Sequence, residues 1–100
     1  MLEKAIESMQ KAIALNPDPA YYHYKLSQLY WFKGILEKNH SFLEKGIGQL
    51  KEAIKRYPTK SIYHQELGNA YELVGKKKEA EKEYREAQKW KKLSKSESGN

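Results

Sequence analysis

AYYHYKLSQLYWFKG, residues 20–34, and SIYHQELGNAYELVG, residues 61–75, are two copies of one pattern. Laid over each other they pair Tyr22 with Tyr63, His23 with His64, Leu26 with Leu67, Tyr30 with Tyr71 and Gly34 with Gly75. His23, Leu26, Ser27, Tyr30 and Gly34 are three or four residues apart, the spacing that puts side chains on one face of a helix. That face is the expected buried stripe of each copy.

Working outward, each copy is followed by a second periodic segment. Gly46, Leu50, Ala53 and Pro58 follow the first, and Ala80, Tyr84 and Ala87 follow the second. Ala5, Met9, Ala12 and Pro17 repeat the same spacing ahead of both. The breaks between segments fall at Asn16-Pro17-Asp18-Pro19 and at Pro58-Thr59, where proline ends one helix and permits the start of another. No stretch alternates with the period of two that a strand needs. The chain therefore reads as all-α: five helices forming a repeated helix–turn–helix unit.

These residues resemble the tetratricopeptide repeat (TPR), a unit of about 34 residues. Its first helix carries a large residue, Leu, a small residue and an aromatic; its second carries Ala, a large residue and Ala, and Pro closes it. Residues 61–94 supply His64, Leu67, Gly68, Tyr71, Ala80, Tyr84 and Ala87, with Lys92 where Pro is usual. Residues 20–60 supply His23, Leu26, Ser27, Tyr30, Gly46, Leu50, Ala53 and Pro58, and residues 1–19 resemble the second helix of an earlier repeat. The resemblance implies antiparallel hairpins stacked as a short right-handed superhelix over residues 1–94, with 95–100 unordered. The small residues have a physical reason of their own, since they let helix axes approach closely.

The middle repeat holds seven extra residues between Gly34 and Gly46. Two helical turns span about 7.2 residues, so one added turn per helix preserves the faces that meet. Ser41-Phe42-Leu43-Glu44 reads as a capping box opening the lengthened second helix, with Asn39-His40 at the tip. Asn39-His40-Ser41 also spells a glycosylation acceptor, but the N-terminus lacks a signal-peptide pattern and the hairpin reading takes precedence.

Composition excludes several function classes. At 100 residues one domain is the ceiling, and with no cysteine there is no disulfide scaffold, thiolate zinc site or cysteine nucleophile. That suits a reducing compartment such as the cytoplasm. No apolar run nears the roughly 18 residues of a membrane span. His23, His40 and His64 are too scattered for a metal site, no phosphate-binding glycine loop is present, and neither catalytic residue nor cofactor is expected.

The net charge of +6 is uneven: residues 1–75 hold ten Lys/Arg against eight Asp/Glu, residues 76–95 nine against four. Lys76, Lys77, Lys78, Lys89, Lys91 and Lys92 raise a nucleic-acid or acidic-surface reading. Interleaved Glu79, Glu81, Glu83 and Glu86 favour a solvated helix face instead.

Binding is the expected function: a non-enzymatic scaffold for a protein or peptide partner, part of a larger protein. Six of the twelve aromatics lie between Tyr21 and Phe32. Tyr21, Tyr24, Lys25, Gln28, Trp31 and Phe32 fall opposite the buried stripe, on the arc that the resemblance makes a concave peptide groove. The next repeat adds Gln65, Asn69 and Glu72. The alternative for Tyr24 and Trp31 is packing between repeats. The carboxylate clamp of chaperone-tail binders is missing, since Gln65 precedes Asn69 where that clamp has Lys.

The two ends differ. Ile6 and Ile13 match Ile47 and Ile54 on the face that covers a following repeat, whereas Glu81 and Gln88 stand there in the last helix, so the array is expected to end near Leu93. Leu2, Ile6, Met9 and Ile13 cannot all bury against one neighbour, which predicts an N-terminal edge for self-association.

Overall fold

The prolines cut the chain where expected. Helix α1 (Leu2–Leu15) ends at Asn16, whose side-chain amide donates to the Ala12 carbonyl, and Pro19 stands at the N-cap of α2 (Ala20–Leu36). Helices α3 (His40–Arg56), α4 (Ser61–Leu73) and α5 (Lys77–Ser98) complete the chain. This computed structural model describes the backbone of residues 1–98 and the side chains of residues 1–94. Each helix packs on its neighbour in sequence, most extensively within the hairpins α2–α3 and α4–α5.

The seven extra residues lengthen both arms of the middle hairpin. Helix α2 has 17 residues against 13 in α4, and α3 begins 13 residues before Ala53 whereas α5 begins ten before Ala87. Four extra residues and three are one turn each. Both hairpins then turn by the same device. Asn39 N–H donates to Gly34 O at 2.9 Å and Lys38 N–H to Ile35 O, as Lys76 N–H donates to Tyr71 O at 2.8 Å and Gly75 N–H to Glu72 O. These are Schellman pairs, which need a left-handed residue just past the helix. Gly75 supplies it with φ 83°; Lys38 supplies it with φ 52°.

One expectation is corrected. Helix α3 is not opened by a box at Ser41–Glu44: its N-cap is Asn39, in extended conformation, with Oδ1 accepting from Ser41 N–H at 3.0 Å. Asparagine is as good an N-cap as serine and stands two residues earlier, so Ser41 falls inside the helix. The backbone of α5 runs on to Ser98. Residues 94–98 contain neither Pro nor Gly, so nothing there breaks a helix already begun. Gly99 and Asn100 lie outside the described residues.

The stripe His23, Leu26, Ser27, Tyr30 and Gly34 is buried throughout. Ile47 and Leu50 of α3 meet Leu67, Ala70 and Tyr71 of α4 and Ala80 of α5, while Ile6 of α1 meets Leu26 and Tyr30 of α2. The small residues sit where neighbours come closest. A Cβ on Gly68 would lie 2.6 Å from the Tyr84 ring, and one on Gly46 would lie 2.9 Å from Trp31 Cδ1.

The two histidines do equivalent work. His23 Nδ1 meets Gln49 Oε1 at 2.6 Å across one hairpin, and His64 Nδ1 meets Glu83 Oε1 at 2.8 Å across the other. His64 Nε2 also lies 2.7 Å from Pro58 O. Among the described residues no group of three His, Asp or Glu could hold a metal ion, and no helix is long and apolar enough to cross a membrane.

Candidate functional site

A cleft of about 530 Å³ opens where α1, α2 and α4 converge. Ala5 and Met9 line it from α1, Lys25, Gln28, Leu29, Trp31 and Phe32 from α2, and Glu66 from α4. Helix geometry explains the set. Lys25, Gln28, Leu29 and Phe32 are three or four residues apart on α2, beside the buried stripe. Phe32 keeps 63 % of its surface exposed, high for an aromatic on a protein this small. A second, shallower depression continues past Trp31, lined by Asn69, Glu72 and Leu73.

Trp31 belongs to both depressions and also to the fold. Its Cδ1–Nε1 edge faces Gly46 of α3, Nε1–H is buried with no acceptor among the described residues, and the ring packs on the core around Leu50 and Leu67. Tyr24 is mainly a packing residue. Its ring centroid lies 5.1 Å from that of Tyr63, and its hydroxyl accepts from Gln28 Nε2 at 3.1 Å. Burial, then the Glu66 charge, pushes the Tyr24 phenol up from its ordinary pKa.

The other expected residues divide. Lys25 and Gln28 line the cleft with Trp31, the Lys25 ammonium lying 5.6 Å from the Tyr21 ring centroid, and Tyr21 itself is exposed beside Tyr22. Asn69 and Glu72 line the second depression but are partly spoken for. The Tyr84 hydroxyl lies 2.7 Å from Asn69 Oδ1 and also against Glu72 Oε1. Burial first, and the hydrogen bond to Glu72 next, push the Tyr84 phenol up to about 12. Gln65 is not brought to the cleft; it lines a different depression with Ala87, Gln88 and Lys91 of α5.

On the expected self-association edge, Ile6 faces inward. It is buried against Leu26 and Tyr30, doing for α2 what Ile47 does for α4, with Met9 and Ile13 half-buried around it. Leu2 is half-buried as well, so one neighbouring helix covers more of this face than expected.

Glu66, Leu29, Met9 and Ala5 are the cleft residues that sequence reasoning missed or assigned elsewhere. The signal for Glu66 was present, since the pairing of residues 20–34 with 61–75 sets Glu66 opposite Lys25. Glu66 is half-buried, and burial alone pushes its carboxyl up from the usual value.

Comparison with known proteins accounts for this architecture. The tetratricopeptide repeat family profile matches residues 1–19 and 62–92, half of the chain, and the chain belongs to that family. The segment between the matches is the lengthened hairpin. The crystal structure of MamA superposes with a TM-score of 0.81 at 31 % sequence identity. The alignment covers 93 % of this chain and 50 % of MamA, so the chain spans half the length of that relative. No curated protein sequence matches the chain. The fold is an all-helical repeat of the kind that builds protein-interaction scaffolds, a class that is generally non-enzymatic.

Proposed function

We propose that the domain holds a peptide or protein segment in the cleft between α1, α2 and α4. The observation that carries this reading is the apolar wall of Met9, Leu29, Trp31 and Phe32 in a concave site, with Phe32 largely uncovered. An exposed aromatic in a cleft offers area at low entropic cost, and Gln28 beside it can hydrogen-bond a backbone. Its test is a selection of random peptides displayed against the folded domain. Ligands should emerge, and Phe32→Ala should weaken them by about 2 kcal/mol, the scale of an aromatic anchor, without lowering the melting temperature. Ligands indifferent to Phe32, or none at all, would remove the cleft from the account.

A second reading, self-association through α1, has one observation in its favour. Ala5, Met9 and Ala12 are only half-buried, whereas Gly46, Leu50 and Ala53, their counterparts in a complete hairpin, are buried.

A further inference from the structure

Glu66 is an unusual wall for an apolar cleft. It is half-buried beside Leu29, Trp31 and Phe32, and among the described residues it has neither a hydrogen bond nor a cation within ion-pair distance. Lys33, also partly buried, pairs with Glu3 at 2.6 Å and Glu37 at 2.7 Å, and Glu83 meets His64, whereas partly buried Glu52 resembles Glu66 in making no ion pair. Lys25 shares the cleft but its ammonium lies over Tyr21 and makes no ion pair with Glu66. Taking a carboxylate partly out of water without a partner is costly, which leaves the site favourable to an incoming cation.

Apart from Lys25 across the cleft, helix α4 gives the same sign. Helix α4 carries Glu66 and Glu72 and no Lys or Arg. The positive charge of the chain is concentrated on residues 76–95, in α5 and the turn before it, so overall basicity does not describe this face. The second depression adds Glu72 next to Trp31. Aromatic faces beside a carboxylate suit a guanidinium, which stacks on rings and pairs with oxygens in one geometry.

Building on the proposed cleft, we infer that its ligand is a basic-apolar segment. Its apolar side chains rest on Met9, Leu29 and Phe32, and an arginine or lysine between them takes Glu66 as counter-ion. The apolar contacts supply area; the ion pair supplies selectivity, because an acidic residue at the same place meets an unpaired carboxylate.

The probe is the set of displayed peptides that bind wild type and are lost in Phe32→Asp. These should be enriched in Arg or Lys within two residues of Leu, Ile or Phe. For a synthetic, fluorescein-labelled member, Glu66→Gln should weaken binding at least tenfold, and replacing the peptide's arginine by neutral citrulline should do the same. The two changes together should cost no more than either alone. Glu66→Gln should melt with the wild type, since no internal partner is lost. Phe32-dependent peptides without a basic residue, or unaffected by Glu66→Gln, would overturn this inference and leave the cleft standing. Absence of any Phe32-dependent peptide would overturn both.

Discussion

A Cβ built on Gly46 would meet Trp31 Cδ1 at 2.9 Å and the Ser27 carbonyl at 3.1 Å; one built on Gly48 meets nothing within 4 Å. Two residues apart on α3, these glycines answer to different causes. Gly46 is required by the close approach of α2, whereas Gly48 is exposed and carries only the entropic cost of glycine in a helix. Gly48→Ala should therefore stabilise the domain by about 1 kcal/mol in urea unfolding, and Gly46→Ala should destabilise it. Lys38 presents the converse case, a side chain at φ 52° where glycine is at ease. Lys38→Gly should add about 1 kcal/mol, and an unchanged unfolding midpoint would show that the turn has relaxed elsewhere. The alignment of Gly34 with Gly75 made the first need for a small residue legible but not the second. Helix α2 passes straight through Gly34, which is small because Leu43 and the Asn39 carbonyl stand about 3 Å from its missing Cβ. The left-handed turn comes four residues later, at a lysine that no propensity singles out.

At the scale of elements, two of the polar contacts that fasten helices to one another each make a prediction. His64 has the Glu83 carboxylate on one ring nitrogen and the Pro58 carbonyl on the other. Glu83→Ala leaves one nitrogen of the buried His64 ring without its partner and should cost about 1–3 kcal/mol of stability. Glu83→Gln should cost clearly less, because Gln49 already performs that role for His23. The second contact joins the start of α1 to the end of α2. The hydrogen bond and charge of Lys33 hold the Glu3 carboxyl down at about 2 instead of the usual 4.5. A carboxylate depressed in the folded state stabilises it above its ordinary pKa, and that contribution fades as pH falls from 4.5 towards 2. Carbon-detected titration should give Glu3 a midpoint near 2, returning upward in Lys33→Met. Element lengths were legible in advance, because seven residues can be added to a hairpin without rotating its faces only as one turn per helix. The cap of α3 was less so. Asn39 and Ser41 both satisfy the N-cap preference, and only the path of the chain out of the Lys38 turn decides between them.

At the scale of the whole molecule, five stacked helices make a slab of 44 × 34 × 18 Å with a radius of gyration of 14.2 Å, above the roughly 13 Å of a compact globule this size. A layered stack exposes the faces of its outermost helices, and this explains why the proposed cleft was only half readable from one chain. The arc of α2 gave Lys25, Gln28, Trp31 and Phe32, but Met9 and Glu66 enter the cleft through the angle between repeats, which periodicity does not encode. Met9 is also where the two proposed surfaces meet, since it lines the cleft and stands on the half-covered face of α1. That face is small. A helix of 14 residues is about 21 Å long, and a strip of that length one helix wide falls well short of the roughly 800 Å² per partner of a stable interface. Self-association through α1 should accordingly be weak, visible by sedimentation at high concentration and absent on dilution. Met9→Glu should abolish it without loss of helicity. A peptide that fills the cleft should compete with it, because both need the Met9 side chain uncovered. Dimers that persist in saturating peptide would place the contact on another face, and a wild-type protein monomeric at all concentrations would show that α1 is already covered enough by α2.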